Sequence, residues 1–495
     1  MTKQTTTFDL ILPSADSVTP AYRWLYESLR DEILRGRLRP GARLPGTRDL
    51  ASQYGLSRGT IVYAFDQLKS EGYLEGSVGS GTYVSRVLPD ELLRVKSEIG
   101  IQPQGQTTPK RRFSDYGKRA HLFPGYDIRP TRAFRTDLPA LDLFPAALWA
   151  QITARRLRRA STYVLMGCPS MGYEPLREAI AGYLRTSRGV KCEAHQIAIV
   201  SGAQEALDLV ARLFLNPGDR VGMEDPGYTG ASIVFEAVGA KISAVRSDEE
   251  GMKLLRSTDS RVRLVYITPG HQFPLGITMS LARRLELLEW ARKSEALIFE
   301  DDYDSEFRYS GRPVPALQGL DRSDRVLFAG TFSKVLFPSL RLGYLVLPHD
   351  LIDRFAAAIS VTTRHAPVMQ QAVLCDFITE GHFARHIRRM REIYAERLSV
   401  LLQAARERLT GLLDISNIEA GLQTVGWLHG NLDENAAAKA AAARSVDVVP
   451  LGRYNRGKPG RPGLQLGFSA VNPQEIRNGV RELALALESA RKSQG

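Results

Sequence analysis

The sequence predicts an α/β chain in two unequal parts: a small helical domain closed by a hairpin, then a much larger domain of alternating strands and helices. Three observations carry this. A chain of 495 residues exceeds what one ordinary core supports, so two or more domains are expected. The texture changes along the chain. Residues from about 19 to 86 are dense in short helical patterns and end in a Gly-rich hairpin, and from about 121 to 490 apolar strand-like runs alternate with amphipathic helices. Finally, 43% hydrophobic and 24% charged residues with no long biased tract and no internal repeat describe a soluble globular protein.

The remaining bulk properties narrow the setting. The three cysteines (Cys168, Cys192, Cys375) are widely spaced, which suits a reducing compartment without a disulfide framework; no metal site is expected. The first residues, "MTKQTTTFDLILPSAD", lack an apolar stretch of signal-peptide length, and no later run reaches the roughly 20 apolar residues of a membrane span. A cytoplasmic protein with no membrane partner is the expectation. A net charge of +12 suits a polyanionic partner, though a solvated basic surface would give the same number.

The small domain opens with "PAYRWLYESLRDEILRG", where Tyr22, Leu25, Leu29 and Ile33 fall at three- or four-residue steps along one helical face that stops at Gly36. "RLRPGARLP" is a turn. The helix "TRDLASQYG" follows, then "LSRGTIVYAFDQLKSEGYL", capped by Ser57 with Ile61, Ala64, Phe65 and Leu68 inward. Two short helices joined near Gly55 suit a helix-turn-helix, whose second helix enters the major groove N-terminus first. Arg58, Gly59 and Thr60 then face outward, with Tyr63 one turn on. Arg58 can reach a guanine edge or a phosphate, Thr60 a phosphate or a thymine methyl, and Arg48 a backbone phosphate. "YLEGSVGSGTYVS" reads as two strands around a Gly-rich turn, a wing.

Between the domains, residues from about 87 to 120 include "GIQPQGQTTPKRRFSDYGKR", polar and without apolar periodicity. Such a composition cannot offset chain entropy by burial, which predicts a mobile linker.

In the large domain the chemistry gathers where strands end. "IAIVSGAQEALDLVARLFL" is a strand, a tight turn at Ser201-Gly202 and a helix, whose first amides at Ala203 and Gln204 form a phosphate seat. Tyr228, after "MEDPG", could stack on a flat heterocycle. "ALIFEDDYDSEF" is an apolar strand running into Glu300, Asp301 and Asp302, at the strand end where open α/β sheets bind ligands. An acid there can keep a pyridine nitrogen protonated, and Tyr303 could bond a phenolic oxygen. In "LFAGTFSKVLFPSLRLG", Lys334 lies between apolar runs, which predicts a partly desolvated amine with the character of a nucleophile. Thr331, Ser333 and Arg341 can share phosphate oxygens.

The run "LRPGARLPGTRDLASQYGLSRGTIVYAFDQLKSEGYLEGSVGSGTYVS" resembles the GntR-type winged helix along its whole length. That resemblance implies double-stranded DNA as partner, with contacts at Arg48, Ser57, Arg58, Thr60 and the wing residue Gly79. The glycine turn, ring-stacking tyrosine, acid, lysine and arginine of residues 121–490 resemble fold-type I aminotransferases. Together the two parts resemble the MocR/GabR family of regulators. The resemblance implies a mixed, mostly parallel sheet with helices on both faces and a smaller C-terminal α/β subdomain. It also implies a homodimer and pyridoxal 5′-phosphate as cofactor. Lys334 would be the internal aldimine lysine and Asp301 the pyridine-nitrogen partner. Tyr303 and one of His271 or Gln272 would lie near the ring hydroxyl, and Tyr228 would stack on the ring.

Three positions depart from that family. Gln465 stands where an arginine commonly holds a substrate carboxylate, Gly230 where the GABA-responsive member has a second arginine, and Gly167 where many members carry a tyrosine reaching the neighbouring subunit. Arg453, Arg456 or Arg461 could supply a substitute guanidinium. The expectation is therefore a sensor of pyridoxal phosphate itself or of an amine-containing effector, with weak transamination at most. The alternative is a working aminotransferase with an appended DNA-binding domain.

Overall fold

A computed structural model describes residues 12, 20–77, 81–88, 111–122, 130–254, 262–311, 314–416, 418–457 and 460–492. The chain divides into two compact units, Met1–Lys110 and Arg111–Gly495.

The first unit contains α1 (Ala21–Leu34), α2 (Thr47–Tyr54), α3 (Arg58–Ser70) and a hairpin of β1 (Leu74–Ser77) with β2 (Gly81–Val84). Leu25, Leu29 and Ile33 of α1, Leu50 of α2 and Ile61, Ala64, Phe65 and Leu68 of α3 form one buried cluster, as their spacing predicts. Tyr22 departs from that reading. It stays 40% exposed, edge-on to Tyr63 at 5.1 Å, because the first turn of α1 overhangs the cluster. Gly55 takes φ +63 between α2 and α3, the left-handed conformation a tight inter-helix turn needs. The wing tip, residues 78–80 with Gly79, lies outside the described residues, as do residues 89–110 of the expected linker. The later part of that linker is not structureless. Asp115–Arg119 is a helical turn capped by Ser114, with Arg119 Nε donating to Ala237 O at 3.2 Å and Arg212 over the Tyr116 ring.

In the second unit, an eight-stranded sheet has the order β3-β10-β9-β8-β7-β4-β5-β6. Its strands are β3 (Ile197–Val200), β4 (Arg220–Asp225), β5 (Lys241–Asp248), β6 (Gly251–Met252), β7 (Val262–Ile267), β8 (Leu297–Asp302), β9 (Val326–Thr331) and β10 (Gly343–Val346). β4, β5, β7, β8 and β9 pair in parallel, while β10 and β6 run against their neighbours. Side chains alternate between two cores. Ile197, Ile199, Phe328 and Tyr344 point to one face, under α4 (Ala146–Arg158), α5 (Glu174–Ser187) and, after the sheet, α10 (Val368–Thr379) and α11 (His382–Arg408). Ala198, Val200, Leu327, Ala329 and Leu345 point to the other, under α6 (Ala203–Phe214), α7 (Thr229–Ala237) and α9 (Ile352–Thr362). α8 (Leu281–Ser294) covers Val265, Ile267 and Ile298.

The C-terminal part is a four-stranded antiparallel sheet, β11-β12-β14-β13, built from Leu413–Ile415, Gln423–Leu428, Val449–Pro450 and Gly463–Gly467. It is covered by α12 (Glu434–Ala443) and α13 (Pro473–Lys492). The segment before α4 crosses its edge. Phe134 bridges Gly467, where an added Cβ would lie 2.0 Å from Arg135 O, so only glycine lets the chain pass this close.

Candidate functional sites

On the first unit, the Ser57 Oγ accepts from the Thr60 amide at 3.1 Å and lies 2.8 Å from the Thr60 hydroxyl, fixing the start of α3. Arg58 stands exposed at that N-terminus and Arg48 on α2. An exposed guanidinium beside a positive helix end is an anion-binding arrangement.

On the second unit, the carboxyl ends of β4, β8 and β9 converge. β8 shows how the sheet sorts its acids. Glu300 and Asp302 share one face, where Glu300 accepts from the amides of Leu317 and Gln318 (2.8 and 2.9 Å) and Asp302 from Arg188 Nε at 2.7 Å. Asp301 points the other way and its Oδ2 accepts from the Tyr266 hydroxyl at 2.8 Å. Burial pushes the Asp301 carboxyl up to about 6, with the Tyr266 bond and the Lys334 charge opposing the shift. Of the three strand-end acids, Asp301 alone points to the face that carries Tyr266, and its Oδ2 binds that hydroxyl and no segment beyond the sheet.

Lys334 follows β9 by three residues. Its amine is not bare, as the flanking apolar runs suggested: Nζ donates to Asp137 Oδ1 at 2.8 Å and to Asp137 O at 3.0 Å. Tyr228 leads α7, its hydroxyl accepting from Gln204 Nε2 at 3.1 Å and its ring stacked 6.4 Å from Tyr266. The two expected neighbours of Tyr303 separate. His271 Nδ1 lies 3.0 Å from the Tyr303 hydroxyl and 3.0 Å from Asp304 Oδ2, and its buried Nε2 has no partner among the described residues. Gln272 is instead consumed by a turn: its Nε2 donates to Pro226 O and Phe273 O, and its Oε1 accepts from the Leu275 amide.

Ala203 and Gln204 open α6 after Gly202, which takes φ +116. The Arg341 guanidinium passes beside it, 3.7 Å from where a Cβ on Gly202 would stand. The Ser333 amide donates to Thr331 Oγ1 at 3.2 Å. Glu205 already holds the Ser201 amide (2.5 Å) and the Thr363 hydroxyl (3.0 Å) on the same turn. Helix-end amides, a guanidinium, two hydroxyls, an amine, a buried acid and an aromatic ring are the donor set a flat, phosphorylated pyridine aldehyde requires.

The departures have structural consequences. At Gly230 a Cβ would lie 2.3 Å from Gln204 Nε2 and 2.5 Å from Tyr228 Cζ, so a side chain here requires the Gln204–Tyr228 pair to move. Gly167 takes φ +129 with His365 Nε2 against it. Arg456 is bidentate to Glu236 (2.6 and 3.1 Å), and Arg461 lies over the Trp427 ring, so neither is turned toward Lys334.

Sequence reasoning passed over several neighbours. Glu224 and Asp225 end β4 as the acids end β8, so the same rule would have found Glu224; it accepts from Thr268 N and Oγ1, and burial pushes it up to about 7. Asp137 and Tyr454 carry no local signal.

Residues 142–483 match the family described as aminotransferase class I and II, and residues 21–84 the gntR family of bacterial regulatory proteins. The chain is 40% identical to the probable rhizopine catabolism regulatory protein MocR of Rhizobium meliloti over 97% of each chain. It is 31% identical to the HTH-type pyridoxine biosynthesis transcriptional regulator PdxR of Corynebacterium glutamicum, over 94% of this chain and 96% of that one. Among solved structures, the α-aminoadipate aminotransferase LysN of Thermus thermophilus, complexed with N-(5′-phosphopyridoxyl)-L-leucine, superposes with a TM-score of 0.70. That match has 28% identity and covers 77% of this chain and 98% of that one.

Proposed function

The chain belongs to the MocR regulators, DNA-binding transcription regulators that join a GntR domain to a class I and II aminotransferase domain, and from that premise we propose that it is a pyridoxal-phosphate-dependent sensor. The convergence of Tyr228, Asp301 and Lys334 on the strand ends carries this reading. Bound there, pyridoxal phosphate supplies an aldehyde for amines and a ring that withdraws electrons. Lys334 would hold the aldehyde end, Asp301 the pyridine nitrogen, Tyr303 and His271 the ring hydroxyl, and Tyr228 the ring face. Ala203, Gln204, Thr331, Ser333 and Arg341 take the phosphate.

The sensing reading rests on Gln465 and Gly230, which offer an amino-acid carboxylate no guanidinium. The effector is pyridoxal phosphate or an amine, and its binding shifts a domain equilibrium that sets DNA affinity. Operator contacts come from Arg48, Ser57, Arg58 and Thr60, with Gly79 assigned by family likeness alone. A homodimer is supported by Tyr163, Leu165, Met166 and Val361, apolar yet 54–85% exposed. Gly167 against His365 joins the two segments that carry them.

The test is the absorbance spectrum of the purified protein with pyridoxal phosphate, beside Lys334→Ala. A visible band lost only in the variant is expected, and identical spectra refute the reading. Arg58→Ala should weaken operator binding and leave that band unchanged. Turnover of amino donors at ordinary aminotransferase rates would overturn the assignment as a sensor.

A further inference from the structure

Asp137, the partner of Lys334, is built into place. It holds φ +68, its amide donates to Gln423 Oε1 at 3.2 Å, and the next residue's carbonyl accepts from the Ser469 hydroxyl at 2.5 Å. Gln423 and Gln465 lie on one face of the C-terminal sheet, because Gln465 pairs with Val425, two residues along β12 from Gln423. Gln465 is fully buried. Its Oε1 accepts from the Tyr454 hydroxyl at 2.7 Å, and its Nε2 has no partner among the described residues. Tyr454 in turn packs edge-on to Phe273 at 5.0 Å, and Phe273 against Tyr228 and Tyr303. The bond from Asp137 to Gln423 sets this sheet face against the segment that holds Lys334, so one corner combines a carboxylate, of which Oδ1 holds Lys334, with a buried amide donor unpaired among the described residues.

We propose that this corner, formed by Asp137 and Gln465, selects the effector as a hydroxylated primary amine without a carboxylate. The inference rests on the reading of Lys334 as the cofactor lysine. The Gln465 Nε2 donates to a hydroxyl oxygen, and Asp137 Oδ2 accepts from a hydroxyl or a second amine. A carboxylate here would face the charge of Asp137 and, at position 465, a neutral amide in place of a guanidinium. Of the candidate substitutes for a clamp, Arg456 is held by Glu236 and Arg461 lies over Trp427, while Arg453 stands exposed on the turn before Tyr454. A charge-assisted hydrogen bond is strong enough to separate such ligands by roughly tenfold or more.

Serinol (2-amino-1,3-propanediol) and L-serine share a skeleton and differ by a hydroxymethyl group in place of the carboxylate. Each is titrated into the full chain loaded with pyridoxal phosphate, following the visible absorbance and, separately, operator affinity. Serinol is expected to half-saturate at a concentration roughly tenfold or more below L-serine. Asp137→Asn should erase that preference, and Gln465→Arg should reverse it toward L-serine. An equal or weaker response to serinol, or a preference untouched by Asp137→Asn, overturns the proposal. A visible band that is absent, or that survives Lys334→Ala, overturns the cofactor reading and this inference with it. A normal band without the preference overturns the inference alone.

Discussion

Glu224→Gln isolates the cost of a buried acid at the strand ends. Glu224 is 2% exposed, its Oε2 accepts both bonds from Thr268, and its Oε1 is buried. Burial is the largest cause of a rise from 4.5 to about 7, with the Thr268 bonds opposing it and the Asp301 charge adding to it. A carboxyl raised in the folded state binds its proton more tightly folded than unfolded. Its contribution to stability is therefore full below about pH 4.5 and is lost as pH climbs toward 7. At about 1.4 kcal/mol per pKa unit, most of that loss falls between pH 5 and pH 8 and amounts to roughly 2–3 kcal/mol. Glutamine keeps the shape and does not titrate. Urea unfolding of the wild type and the variant, followed by tryptophan fluorescence at both pH values, should show the variant gaining on the wild type by that amount at pH 8. Parallel pH dependences would refute the reasoning.

Other perturbations have equally definite outcomes. Arg188→Met removes the cation from a pair 9% and 5% exposed and leaves Asp302 buried without its partner; a loss of about 3–5 kcal/mol in denaturant unfolding is expected. Ser57→Ala deletes the α3 cap and should cost the first unit about 1 kcal/mol, seen as an earlier calorimetric transition together with weaker operator binding. Met166→Glu places a charge on the exposed apolar turn and should abolish the proposed dimer, read in sedimentation velocity as a monomer where the wild type sediments as a dimer; unchanged sedimentation would remove this turn from the interface.

Much of this was legible where the signal is local. The inward stripe of α3 needed only the spacing of Ile61, Ala64, Phe65 and Leu68, and the Ser57 cap only its place before the helix. Lys334 was marked by its own flanks, yet its partner lies 197 residues away, beyond any periodicity. Gln272 and His271 are adjacent in sequence and equal in polarity. Only the turn at Phe273–Leu275, which consumes the glutamine amide, tells them apart. Tyr22 kept the step of a buried stripe but sits past the end of the core it was assigned to. The acids of β8 were found as a group, and sorting them required knowing which face meets Arg188 and Leu317.

That sorting makes β8 a matter of parity. Deleting or inserting one residue within Leu297–Phe299 would keep the run apolar and acidic to any measure of composition. It would turn the Asp301 carboxylate toward Leu317 and the segment of Arg188, and present a neighbour to Lys334 in its place. Point substitution can therefore drift along this strand one side chain at a time, whereas a change in its length exchanges every role at once. Divergence among chains with this site should be rich in the first kind of change within β8 and empty of the second.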